Sequence, residues 1–131
     1  AQIQAEHPEL TIALNGGIAD LAAAQQQLET FPSVMLGRAI WHSPWLVSQV
    51  DELVYGEAAS GLTPKQAILN YLPYVEEQLS QGVKLNQLTK PLLGVFQAVK
   101  GARQFRRYIS ENAHLPNKGI EVIQTALDLV E

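Results

Sequence analysis

Apolar positions along the chain follow one rhythm up to Leu36 and another from Pro44 onward. Leu10 to Leu14 is a short apolar run with side chains on both faces, the pattern of a parallel strand covered on each side. Ser33 to Leu36 is a second such strand. Each runs into glycine, the first at Asn15-Gly16-Gly17 and the second at Gly37-Arg38, and each is followed by a helical pattern. Before the first strand, Gln2 to Glu6 reads as the end of a helix that Pro8 stops. Between the strands, Ile18 to Thr30 reads as a helix with Ile18, Leu21, Ala22 and Leu28 toward a sheet, leaving Gln25, Gln26 and Gln27 wet. Ser43-Pro44 is a cap followed by a proline, opening a helix to Tyr55 that buries Leu46, Val50, Leu53 and Val54 and stops at Gly56.

From Thr63 the period is helical throughout. Ala67, Ile68, Tyr71, Leu72, Val75 and Leu79 form one stripe ending at Gly82, with Pro73 removing a backbone bond inside it. Leu85 to Val99 is a helical stretch that Pro91 and Gly94 divide into shorter pieces. Ala102 to Ala113 is a basic helix burying Ala102, Phe105, Ile109 and Ala113; Gly119 to Val130 closes the chain on Ile120, Ile123, Leu127 and Val130. The fold class is therefore α/β followed by all-α. Residues 1–56 hold two β/α units and residues 63–131 a four-helix-type bundle, with a small-residue linker between them.

A strand that ends in a glycine turn at a helix start presents backbone N–H groups to an anion. Two such units in tandem predict adjacent parallel strands sharing one phosphate at their carboxyl edge, as the last two strands of a (β/α)8 barrel do.

Charge sharpens the second half. Up to Pro64 the one base is Arg38, against Glu6, Glu9, Asp20, Glu29, Asp51, Glu52 and Glu57. From Lys84 to Lys118 the balance inverts: Lys84, Lys90, Lys100, Arg103, Arg106, Arg107 and Lys118 face only Glu111. An acidic protein of net charge −4 with one basic segment points to a localised polyanion contact. Arg103, Arg107, Ser110 and His114 fall on one stripe of the basic helix with Arg106 at its edge, phosphate-spaced cations on a rod. The competing reading is internal pairing, as for Arg107 and Glu111 at i,i+4, and at least one of the three arginines is expected to be structural. Trp41 and Trp45 are expected in packing, and His7 and His42 at the surface without metal-ligand spacing. The chain has no cysteine, which excludes disulfides and thiol nucleophiles and fits a reducing compartment. No apolar run is long enough for a membrane span, and the first residues do not read as a secretory signal.

Several stretches resemble the C-terminal part of the tRNA-dihydrouridine synthases, the A subfamily in particular. They are Leu-Thr-Ile-Ala-Leu-Asn-Gly-Gly-Ile (10–18), Val-Met-Leu-Gly-Arg-Ala (34–39), Ser-Pro-Trp-Leu (43–46), Glu-Gln-Leu-Ser-Gln-Gly (77–82) and Gly-Ala-Arg-Gln-Phe-Arg-Arg-Tyr-Ile-Ser-Glu-Asn-Ala-His (101–114). The resemblance implies the end of an FMN-binding barrel joined to a helical tRNA-binding domain, in a cytoplasmic enzyme that reduces D-arm uridines with NADPH. It implies that Asn15, Gly16, Gly17, Gly37 and Arg38 hold the FMN phosphate, and that Lys90, Lys100, Arg103, Arg106 and Arg107 meet tRNA, with no role for DNA or a membrane. The family's catalytic cysteine, which protonates the uracil ring, has no counterpart among these residues. The chain is accordingly expected to be a fragment, inactive alone, with weak flavin affinity and an open-edged first part that self-associates. A stand-alone RNA-binding or protein-interaction module without redox activity is the alternative.

Overall fold

The structure, a computed structural model, describes residues 2–131 and divides into two compact units, one ending at Ser60 and the other spanning Gly61–Glu131. In the first unit, helix α1 (Gln2–Glu6) precedes strand β1 (Ala13–Asn15), helix α2 (Leu21–Leu28), strand β2 (Ser33–Met35), helix α3 (Arg38–His42), a 3₁₀ turn over Pro44–Gln49 and helix α4 (Val50–Tyr55). β1 and β2 pair in parallel with Ala13 opposite Ser33, Leu14 opposite Val34 and Asn15 opposite Met35.

The elements are shorter than the apolar runs, for identifiable reasons. Leu10 to Ile12 lie outside the strand, because β2 is the one neighbour β1 has among the described residues and it extends from Ser33 to Met35 only. Asp20 accepts a hydrogen bond from the Ala23 N–H at 2.8 Å and so fixes the start of α2 at Leu21. That start leaves Ile18 outside the helix and sets the inward stripe as Leu21, Ala24 and Leu28, with Ala22 exposed. Gln25 is not simply wet: its amide donates to the Leu53 carbonyl at 2.7 Å and ties α2 to α4. The helix expected from Pro44 starts instead as a 3₁₀ segment, and the Ser43 hydroxyl makes no capping bond. Leu53 and Trp41, expected inside, are 43% and 59% exposed.

The second unit follows its hydrophobic pattern closely. Helix α5 (Pro64–Ser80) opens with a reciprocal capping box: Thr63 Oγ1 accepts from the Gln66 N–H at 3.2 Å, and Gln66 Oε1 accepts from the Thr63 N–H at 3.0 Å. The helix continues through Pro73, whose ring is exposed. Helix α6 (Leu85–Leu88) is a single turn, followed by a 3₁₀ turn over Lys90–Gly94. The second unit thus has three full helices and one divided segment, in which the break falls at Thr89, ahead of Pro91, and Gly94 ends the 3₁₀ turn. Helices α7 (Ala102–Asn112) and α8 (Glu121–Asp128) complete it. A continuous core joins Ile68, Leu72 and Val75 of α5 to Phe105, Ile109, Ile123 and Leu127, and Phe96 meets Phe105 edge-on with ring centroids 4.9 Å apart. Tyr71 donates its hydroxyl to the Leu88 carbonyl at 3.2 Å; burial, and then the neighbouring Tyr74, push its phenol above the usual range. Gly101 has φ +89°, and a Cβ there would overlap the Leu129 carbonyl oxygen, so only glycine lets the start of α7 pass the chain's last turn.

Candidate phosphate cradle and nucleic-acid interface

The register of the two strands fixes the geometry of the candidate cradle. Asn15 and Met35 are paired, so the loops that leave their carboxyl ends emerge side by side. The first loop turns at Gly16 and Gly17, with φ of +117° and +72°, values that side-chain-bearing residues rarely adopt. The second turns at Gly37, directly before Arg38 opens α3. All five residues expected at a phosphate (Asn15, Gly16, Gly17, Gly37 and Arg38) line one open cavity of about 540 Å³.

The lining suits an anion. A Cβ built on Gly16 or Gly17 meets nothing within 4 Å, and on Gly37 it meets only the flexible end of Met35 at 3.7 Å, so the glycine backbone is open to a ligand. Arg38 supplies a positive charge, and no aspartate or glutamate among the described residues lines the cavity. Phosphate esters are bound by such combinations of backbone donors and a guanidinium. His42 and Ser43 line the same cavity and were not singled out from the sequence for this role. The signal for His42 was present in its i,i+4 spacing from Arg38 on α3.

The basic residues of the second unit have three different fates. Arg103 is exposed and makes no hydrogen bond or ion pair with a described residue; Lys90 is exposed likewise. Arg107 is exposed but engaged: its Nε donates to Glu111 Oε1 at 2.8 Å, and that bond raises the guanidinium pKa further. Lys100 is paired with the Glu131 carboxylate at 2.6 Å. Arg106 turns back into its own unit, donating from Nη1 to the Phe96 carbonyl oxygen at 3.2 Å. Arg106 is the structural arginine among the three, and it is partly buried. His114 sets Nδ1 at 3.1 Å from the Ser110 carbonyl at the end of the same stripe.

The first unit thus holds a glycine-tipped parallel β/α pair, and the second an arginine-bearing helix. The sequence pattern of the Dihydrouridine synthase (Dus) family matches residues 1–131, and the chain belongs to that family. It is 43% identical over 129 residues to a tRNA-dihydrouridine(20/20a) synthase of Pasteurella multocida, covering 98% of this chain and 39% of the relative. It is 44% identical over 126 residues to the Vibrio cholerae protein of the same name, covering 96% of this chain and 38% of the relative. The Escherichia coli O6:H1 protein of that name is 40% identical over 129 residues. The chain therefore spans about two-fifths of the length of the curated relatives it matches. No helix of the described residues is long and apolar enough to cross a membrane.

Proposed function

We propose that this chain supplies the FMN-phosphate grip and part of the tRNA-docking surface of a flavin-dependent tRNA-dihydrouridine synthase working in the cytoplasm. The observation that carries the reading is the convergence of Asn15, Gly16, Gly17, Gly37 and Arg38 on one acid-free cavity at the carboxyl ends of two parallel strands. In this role the glycine N–H groups and the Arg38 guanidinium hold the phosphate, and Asn15 orients the first turn. A flavin held there would supply the redox chemistry, with NADPH as reductant, for reduction of a uracil ring. The chain contains no cysteine, so a thiol proton donor for that reaction comes from outside these residues. Anchoring the phosphate end limits the motion of the whole cofactor, which is how a remote contact contributes to the reaction. In the second unit, Arg103 and Lys90 offer charges not engaged with other described residues, and Arg107 offers one shared with Glu111.

A chimera tests this directly. The matching segment of the Pasteurella multocida relative is replaced by residues 1–131 and expressed in cells lacking their own dihydrouridine synthases. Dihydrouridine in bulk tRNA is expected to be restored, and Arg38→Ala in the chimera to reduce both flavin content and product. A folded chimera that yields no dihydrouridine would contradict the reading.

A further inference from the structure

We propose that the helical unit carries a second phosphate site, in the cleft lined by Lys84, His114 and Lys118, and that this site takes the phosphodiester backbone of RNA. The inference rests on the tRNA reading above and adds to it a contact that begins where the arginine-bearing stripe ends, at His114. The cleft has a volume of about 440 Å³ and is lined from three places in the chain. Lys84 stands immediately before buried Leu85 at the start of α6, and His114 immediately after buried Ala113 at the end of α7. Lys118 lies in the loop leading to α8. Two of the three cationic or ionisable groups are thus attached directly to core residues, which holds their backbones in place.

None of the lining residues is an aspartate or glutamate. Neither lysine forms an ion pair with a described residue, unlike Lys100 and Arg107. Glu121 stands outside the lining: both of its oxygens accept from the Gly119 N–H, at 2.9 and 3.0 Å, and Lys118 is the smallest of the influences on its carboxyl. Asn86 and Asn117 add amide groups to the lining, Asn117 in a left-handed conformation (φ 58°). His114 is held at the rim of the cleft, with Nδ1 at 3.1 Å from the Ser110 carbonyl. Lysines as point charges with neutral hydrogen-bonding neighbours read a phosphate without reading a base, which is the sequence-independent part of RNA binding.

The test is the binding of an unmodified tRNA transcript to the full chain by fluorescence anisotropy over a series of salt concentrations. The comparison is between the unsubstituted chain, Lys84→Gln/Lys118→Gln, and Lys65→Gln on α5, outside the cleft. Loss of two phosphate contacts is expected to make the log–log salt slope shallower by about 1.4 to 1.8, at roughly 0.7 to 0.9 per contact, with Lys65→Gln unchanged. In the unsubstituted chain, the backbone amides of Lys84, His114 and Lys118 are expected to shift in NMR spectra when the transcript is added. This second readout does not depend on the variant folding. An unchanged slope in a double variant with an unchanged melting temperature, or amides that stay in place while the transcript binds, overturns the cleft and leaves the tRNA reading standing. A chain that shows no salt-dependent binding overturns both.

Discussion

Leu21 and Ala24 are the buried hydrophobic residues of the first unit, whereas the second wraps a continuous core around Phe105 and Ile123, both fully buried. The first unit leaves Ile3, Leu10, Met35, Trp41, Val47, Leu53 and Tyr55 exposed. The lesson is that the two candidate sites are held in place by different physics. In the helical unit, side-chain position follows from packing: Arg106 bonds to the carbonyl of Phe96, whose ring packs edge to face with Phe105. In the strand unit, the site is chiefly backbone conformation, set by strand register and by glycines with positive φ, and it needs little core of its own.

The largest test of this difference is truncation of Phe105. Phe105→Ala is expected to destabilise the helical unit by roughly 3–5 kcal/mol, as deletion of a fully buried aromatic does, measured by calorimetry or denaturant titration. Hydrogen exchange gives the same contrast without a substitution. Amides of Ile109 and Ile123 are expected to exchange only through global opening of their unit, and those of Leu14 and Val34 much faster. Slow exchange of both strands in a monomeric chain would break the comparison.

Two glycines sharpen it further. Gly101→Ala places a methyl group against the Leu129 carbonyl and is expected to cost more than the roughly 1–2 kcal/mol of the left-handed backbone alone. Gly16→Ala meets no neighbour and is expected to cost only the backbone share in stability, while weakening phosphate binding. Thermal melts and ligand titration of the two variants separate a glycine needed for packing from one needed for a site.

Among the arginines, Arg106→Gln is expected to lower stability by about 1 kcal/mol through loss of a partly covered charged donor to a carbonyl. Arg103→Gln is expected to leave stability unchanged and make the salt slope of tRNA binding shallower by about 0.7 to 0.9. The smallest effect concerns Glu121, whose carboxyl is held below the usual range by the Gly119 N–H. Because the folded state has the lower pKa, this contribution is present above the ordinary glutamate range and is lost as pH falls through the folded value. An NMR titration of the Glu121 carboxyl is expected to show its midpoint below that of an unstructured glutamate. Glu121→Gln should narrow the gap in melting temperature between neutral and acidic pH.

The helical unit was legible in the sequence because its apolar period and its core coincide: Ile68, Val75, Phe105, Ile109, Ile123 and Leu127 were all on expected stripes. The paired glycine turns were legible for another reason, since tandem strand–glycine–helix turns constrain the backbone whatever surrounds them. What the sequence misled on was burial in the first unit. Leu53 and Trp41 have the composition of packed residues but lack a surface to pack on among the described residues. Pairing was also hidden. Lys100 meets Glu131, 31 positions away, and Arg106 meets a backbone carbonyl, partners that charge counting cannot supply. Exposed apolar surface of this kind in the first unit is expected to make the chain self-associate, visible as a concentration-dependent sedimentation coefficient.

The central claim, a phosphate grip made of backbone, is tested most directly by NMR titration of the chain with FMN and, in parallel, with riboflavin, which lacks the phosphate. The account predicts that FMN shifts the amides of Gly16, Gly17, Gly37 and Arg38 and that riboflavin leaves them in place. Equal shifts with both ligands, or FMN shifts that avoid these four amides, would contradict it.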